Sequence, residues 1–439
     1  MKILCTGDLH LGRRSSRLPE HIDGRAHSSA SAWGRVVDLA IAERVDLVLL
    51  SGDLIDDANR FYEALGPLEV GLRRLATAGA RTVAVAGNHD HDLLPRLADS
   101  LAGDLGNSFR LLGRGGRWER TTVESKGLVV HIDGWSFPRR HFSQNPLEGY
   151  SFDRPHEGFV VGLLHADLGA SASNYAPVDL ATLRARHLDF WLLGHIHTPR
   201  LYEGEGVAPV LYPGSPQALD PGEVGSHGAW LFELGPGHEL RGKLIPLSSV
   251  WYDEVEIDLD GLEDSDQIDP QIISGVRAHT TSIESYDALQ YISYRLRLTG
   301  RTPLYREVGE LVGQVVADLE LVEFEGVVSG VERVSVETRP AYDLVELARS
   351  KDPVGVLAGL ILYLDGETEE FSDRGYDELI EEAVREVEGV YGSSTYLALQ
   401  EGGMGRRSED GPYSEVARRA LLDRAQNLLD TLLQQKETR

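Results

Sequence analysis

Five short polar clusters each close an apolar run. They are GDLH with Asp8 and His10, GDLIDD with Asp53, GNHD with Asn88 and His89, LLHA with His165, and GHIH with His195 and His197. Together they offer several imidazole nitrogens, two carboxylates and one amide oxygen, with no thiolate. That donor mix suits divalent ions such as manganese, iron or zinc and disfavours a structural zinc knot. Residues two apart on an extended segment point to the same side, so Asp8 and His10 can reach one centre and His195 and His197 can face adjacent ones. Two cations about 3.5–4 Å apart under one bridging carboxylate can clamp the oxygens of a phosphate and deprotonate a water between them. A phosphate ester repels an incoming hydroxide, and paired cations offset that repulsion. The chemistry open to this set is therefore hydrolysis of a phosphoester.

Such a set has to be gathered by elements that end at one place. The runs KILCTG, VDLVLLSG, TVAVAG, LVVHIDG, FVVGLLHA, DFWLLGH and PVLYPG are apolar at successive positions and rich in Val and Leu. That texture predicts strands buried on both faces. Helical patterns lie between several of them, as in SAWGRVVDLAIAERV and FYEALGPLEVGLRRLATAG. The alternation predicts an α/β layered fold, in which ligand groups collect at the carboxyl ends of strands. GAWLFEL and KLIPLSS close this part of the chain.

Near Val250 the texture changes. WYDEVEIDLDGLEDSDQIDP predicts a strand followed by an exposed loop. ALQYISYRLRLTG and GVERVSVETRP alternate with period two, as half-buried strands do. A small α+β domain is expected over residues 250–340. From Ala341 onward apolar positions recur three and four apart, in DPVGVLAGLILYL and YDELIEEAVREVEGVY. GGMGRRSEDGPY reads as a loop. The tail places Leu421, Ala425, Leu428, Leu429 and Leu432 on one stripe.

The bulk numbers bound the function. A length of 439 residues suggests two or three domains. A net charge of −27 argues against a nucleic-acid partner, but its distribution weakens the argument. Residues 1–250 hold 25 Lys and Arg against 30 Asp and Glu, whereas residues 251–439 hold 18 against 40. The acidity belongs mostly to the second half, where solubility or a salty cytoplasm accounts for it. A single cysteine, Cys5, excludes an internal disulfide framework and predicts a reducing, cytoplasmic setting; in its strand it reads as a small core residue. No run approaches the roughly 18–20 apolar residues that span a bilayer, and MKILCTGDLH carries no secretory pattern.

The five clusters in this order resemble the calcineurin-like metallophosphoesterase superfamily, whose pattern runs D-x-H, G-D, G-N-H-[DE], H, G-H-x-H. The resemblance implies that Asp8, His10, Asp53 and His197 bind one metal ion. It implies that Asp53, Asn88, His165 and His195 bind a second, with Asp53 bridging. His89 would contact the scissile phosphate and assist the leaving oxygen, and Asp90 would orient His89. A narrower resemblance rests on DLHLG, on YPGSPQALDPGEVGSHGAWLFEL and on RLRLTGRTPLYREV. These look like the SbcD-type DNA repair exonucleases. That likeness implies a layered metallophosphoesterase sandwich over 1–249, a capping domain over 250–340 and a C-terminal helical, ATPase-binding segment over 341–439. It implies two divalent cations, Mn²⁺ first among them, DNA as substrate, and an SMC-like ATPase of the SbcC type as partner. It also implies a cytoplasmic homodimer formed through helices of the first domain, here the pattern from Phe61 to Ala78. The stripe from Ser414 to Glu437 is the matching dock for the ATPase.

Two positions depart from the pattern. Three residues after Asp53, where some relatives carry a histidine, this chain has Asp56. Gly7 stands where Ala or Ser is usual, which reads as a packing variation. Other polar residues have blander readings: His91 and Asp92 continue a solvated loop, and His21, His27, His131 and His141 have no spacing partner and no assigned role. Asp56 and Asp57 either touch substrate or form a solvated turn. Tyr212 to Ser215 shape the wall of the site or offer backbone N–H groups to a phosphate. The pairs Arg13–Arg14, Arg73–Arg74 and Arg139–Arg140 are weak evidence of DNA contact. Two competing functions use the same clusters: a small-substrate phosphatase or cyclic-nucleotide phosphodiesterase, and a non-catalytic component that tethers DNA.

Overall fold

The computed structural model describes residues 1–19, 21–58, 62–169, 173–319, 323–324, 327–365, 375–391 and 414–437. The expected loop at GGMGRRSEDGPY and Phe61 lie outside the described residues.

The first part builds two sheets from β1 (Lys2–Thr6), β2 (Leu47–Leu50), β3 (Arg81–Ala84), β4 (Phe109–Leu111), β5 (Glu119–Ser125), β6 (Leu128–Trp135), β7 (Phe159–His165), β8 (Phe190–Gly194), β9 (Arg200–Tyr202), β10 (Val210–Tyr212), β11 (Gly228–Leu234) and β12 (Leu240–Pro246). One sheet has the order β12–β11–β1–β2–β3–β4, the other β5–β6–β7–β8–β10–β9. β1 to β4 are mutually parallel, and so are β6, β7, β8 and β10. Helices α1 (Ser29–Ala42), α2 (Tyr62–Thr77) and α3 (Leu93–Leu105) make the crossovers that parallel strands require.

The strands are apolar on both faces because both faces are covered. Ile3 and Cys5, Leu47 and Leu49, and Val83 and Val85 point between the sheets, where they meet Ile132, Val161, Leu163, Phe190 and Leu192. The alternate residues Leu4, Val48, Leu50 and Ala84 face α1 to α3 through Trp33, Val36, Leu68 and Leu101. On the far face of the second sheet Val160, Leu164, Trp191 and Leu193 pack with Trp135 and Tyr212. Each fully buried Val, Leu or Phe contributes about 1.5–3 kcal/mol. This is the expected α/β layered fold. Its short or polar members, β4, β5, β9 and α3, are the ones without an apolar run to announce them.

Beyond β12 a third sheet, β13 (Val250–Asp258), β14 (Tyr291–Thr299), β15 (Glu323–Phe324) and β16 (Val327–Val336), has the order β13–β14–β16–β15. The stretch after β13, expected as exposed loop as far as Pro270, is already helical from Ile268 to Ser282. Its buried positions Ile268, Ile272 and Val276 recur every four residues, a period hidden among the acidic residues around them.

The chain divides into two compact units, one of residues 1–256, 272–297 and 313–335, the other of 257–271, 298–312 and 336–439. The second has its own apolar cluster, in which Val354, Ala358, Ile361 and Leu362 meet Tyr376, Ala425 and Leu429. The C-terminal stripe is therefore a core-facing one. Leu429 is fully buried, with Leu422, Leu432 and Leu433 beside it, and of the expected stripe Leu428 is the member left exposed. Among the described residues no helix is long and apolar enough to cross a membrane.

Candidate metal centre

His165 is the last residue of β7, and the other clusters follow the carboxyl ends of β1, β2, β3 and β8. Four of the seven expected ligands sit in the left-handed backbone region: Asp8 (φ 48°), His10 (φ 44°), Asp53 (φ 49°) and His195 (φ 104°). Such positions cost on the order of 1–3 kcal/mol each and persist where their surroundings over-determine them. Here the restraint is a lattice of hydrogen bonds between the loops. The N–H groups of Asp8 and His10 donate to the carbonyls of Gly52 and Asp53 at 2.9 and 3.0 Å. The His89 N–H donates to Asp53 Oδ1 at 2.8 Å. The His195 N–H donates to Asp8 Oδ1 at 2.9 Å.

The glycines of the motifs are there for close approach. A Cβ on Gly87 would collide with Asp53 Oδ1, and one on Gly194 with the Ser51 carbonyl and His165 Nδ1. Gly7 has a similar cause: a Cβ there would strike Ser51 Oγ.

The side chains converge. Asp8, His10 and His197 bring one donor atom each within 4.8 Å of one another, and so do Asp8, Asp53 and His165. His165 Nδ1 donates to the Ser51 carbonyl at 3.0 Å, which turns Nε2 into the site. That Nε2 faces Asn88 Oδ1 at 3.1 Å and Asp53 Oδ2 at 3.3 Å. The same Asp53 oxygen is 3.9 Å from His10 Nε2, so it stands between the two groups. His10 Nε2 and His197 Nε2 face each other at 3.0 Å. Electron pairs aimed at common points in a buried site fit cations there. His195 is the outlier: its ring centroid lies 5.4 Å from that of His165 and 4.9 Å from that of Tyr175, and it belongs to none of the tight groups among the described residues.

Burial and neighbouring charge pull these groups in opposite directions. Burial pushes the Asp8 carboxyl above its usual range. Asp53 is just as buried, yet the charge and hydrogen bond of His165 hold its carboxyl well below the usual range. Burial would lower His165, but Asp53 and then Asp8 outweigh it and hold this imidazole up at about 9. Burial, with His165 next, pushes His195 down to about 3, the neutral form a ligand needs.

His89 lies at the open side, its ring edge-on to His10 at 4.8 Å. The carboxylates facing its Nδ1 are Asp57 at 3.4 Å and Asp56 at 3.8 Å. Asp90, expected to orient His89, hydrogen-bonds backbone: its Oδ2 accepts the Leu54 N–H at 2.7 Å and its Oδ1 the Gly87 N–H at 2.8 Å. A buried carboxylate turns to buried N–H donors, and so Asp90 ties the Asp53 loop to the Asn88 loop. Asp57 is also paired with Arg140 at 2.7 Å. The arginines Arg13, Arg73 and Arg74 engage Asp220, Asp104 and Asp38.

One residue was not singled out in the sequence, although it lies in the stretch YPGSPQALDPGEVGSHGAWLFEL. Glu223 Oε1 accepts from His197 Nδ1 at 2.7 Å, and Glu223 Oε2 accepts the Leu219 N–H at 2.8 Å and the Ser215 hydroxyl at 3.1 Å. Ser215 is therefore a wall residue. His27 and His131 are satisfied, by Ser249 Oγ at 2.9 Å and by Thr122 Oγ1 and the Glu157 carbonyl, both at 3.0 Å.

Comparison with known proteins agrees with this geometry. Residues 1–199 match the family model described as calcineurin-like phosphoesterase, and the chain carries a calcineurin-like metallophosphoesterase domain. It is similar to the uncharacterised metallophosphoesterase YhaO of Bacillus subtilis, 32% identical over 54% of this chain and 58% of that one. It is similar to the DNA double-strand break repair protein Mre11 of Aeropyrum pernix, 28% identical over 53% and 57%. It is also similar to an SbcCD nuclease component of Rhodobacter capsulatus, 24% identical over 56% and 69%. The chain spans a little over half the length of the first two.

Proposed function

We propose that this protein is a metal-dependent DNA nuclease, an exonuclease with endonuclease action also open to it, and the nuclease component of an SbcCD-type repair complex. The observation that carries the reading is Asp53 Oδ2 standing between His10 Nε2 and His165 Nε2 at 3.9 and 3.3 Å. Asp8, His10, Asp53 and His197 would hold one divalent cation, and Asp53, Asn88, His165 and His195 the other, Mn²⁺ in both. When bound, the pair supplies positive charge to the phosphate oxygens and an activated water.

The chain's own residues do the rest. Asp90 keeps two ligand loops in register. His89, 27% exposed beside the buried ligands, is placed to contact the phosphate and to give a proton to the departing sugar oxygen. Burial holds the His89 pKa below its ordinary value, and Asp53, Asp57 and Asp56 push against that shift, the last two facing its Nδ1. Residues 250–340 serve as a cap and 341–439 as the contact for an SMC-like ATPase, with α2 as the homodimer contact and the cytoplasm as location. The similarity to Mre11 and to the SbcCD nuclease supports DNA as substrate, and the roughly 190 residues past the catalytic domain exceed what a small-ester phosphatase needs.

The test is purified protein with Mn²⁺ and linear DNA. DNA should be degraded, and His89→Ala should lose at least about 100-fold in rate, the usual share of a general acid, with metal content unchanged. Undiminished cleavage by His89→Ala would remove that residue from the mechanism. Hydrolysis of a small phosphoester with no turnover of DNA would replace the nuclease by a phosphatase.

A further inference from the structure

The two halves of the centre are built differently. On one side, His10 and His197 point their Nε2 atoms at a common place, 3.0 Å apart, and each has a carboxylate behind its Nδ1. Behind His197 is Glu223, at 2.7 Å. Glu223 is 8% exposed, and its second oxygen is held by the Leu219 N–H and the Ser215 hydroxyl, so the carboxylate cannot turn away. Behind His10 is Asp56, with Oδ1 at 3.4 Å from Nδ1, an ion-pair distance. Asp56 is 6% exposed, and its Oδ2 accepts the Ala58 N–H at 3.1 Å. On the other side, His165 Nδ1 donates to a neutral carbonyl, that of Ser51. His195 lies against Tyr175, with ring centroids 4.9 Å apart. Asp53 stands between the two sides. Two further negative charges stand behind one side alone.

We infer that Asp56 and Glu223 are positioning residues that make the Asp8–His10–His197 side the tighter of two cation sites, filled before the His165 side. The inference rests on the metal reading above. A carboxylate behind an imidazole fixes the Nδ1–H tautomer, aims Nε2 and makes it a stronger donor. It also adds charge that a divalent ion neutralises in a buried setting, where screening is weak. Asp56 thus has a task of its own at the position where some relatives carry a histidine.

The experiment is calorimetric titration of Mn²⁺ into the chelator-stripped full chain, with electron paramagnetic resonance of the Mn²⁺ at one equivalent. The unaltered protein should bind two ions in separate steps, the first giving the signal of an isolated ion in one environment. Asp56→Asn and Glu223→Gln keep shape and remove charge. Each should weaken the tight step by about ten- to a hundred-fold and leave the weaker step in place. Asn88→Ala should do the reverse. Circular dichroism of each variant separates loss of binding from loss of fold, and either carboxylate variant alone decides the matter. A tight step unmoved in either carboxylate variant, or a weakened second step in its place, overturns the inference while the two-ion reading stands. An unaltered protein that binds no Mn²⁺ overturns both.

Discussion

His165 shows how much one side chain decides. Its Nδ1 is committed to a carbonyl, and its Nε2 faces Asn88 and Asp53. Asp90 has similar leverage from outside. Replacing it with alanine strands two buried N–H groups, those of Leu54 and Gly87, at about 1–3 kcal/mol each. Asp90→Ala should therefore lower stability by roughly 2–5 kcal/mol in denaturant unfolding and weaken metal binding, and a loss under about 1 kcal/mol would contradict the tie between the loops. The site was largely legible in the sequence, because residue types in a fixed order after strand-like runs are a strong signal. Two things were hidden. The direction of the Asp90 side chain in a tight turn does not follow from its adjacency to His89. Glu223 lies 26 positions from His197 in the loop before β11, with no spacing to mark it.

At the level of elements, the strands were legible where both faces are buried, and β5, reading ERTTVES, was not, because it has only one strongly buried position, Val123. The loops after the sheets are stitched by buried polar contacts, and these carry a pH dependence. His27 is buried against Ser249, and burial first and Arg35 second hold its pKa below the ordinary value of 6.5. Burial also lowers His227, against the charge of Glu223. As pH falls through 6.5 the unfolded chain takes up these protons before the folded one does, so stability drops toward acid and is fully present above that value. Thermal unfolding midpoints should fall between about pH 7 and pH 5, and His27→Asn should flatten part of the fall. An unchanged slope in that variant would mean that His27 titrates alike in both states. Between α1 and α2, a Cβ on Gly71 would collide with the Trp33 indole. Gly71→Ala should cost about 1–3 kcal/mol through overpacking, and a neutral result would show that the helices can part.

On the scale of the whole molecule, each unit carries an apolar core of its own. In the tail helix, spacing alone gives a stripe but not the neighbours that cover it. Leu429→Ala should destabilise the protein by about 2–5 kcal/mol, whereas Leu428→Ala, half exposed, should stay within about 0.5 kcal/mol. Equal effects from the two would contradict the packing described. The two sheets matter to function because they bring the carboxyl ends of two sets of parallel strands to one place. The most direct test of that claim is anomalous diffraction from crystals soaked in Mn²⁺. Two peaks about 3.5–4 Å apart, with an Asp53 oxygen between them, are the predicted result. A single peak, or a pair that Asp53 does not bridge, would contradict the account.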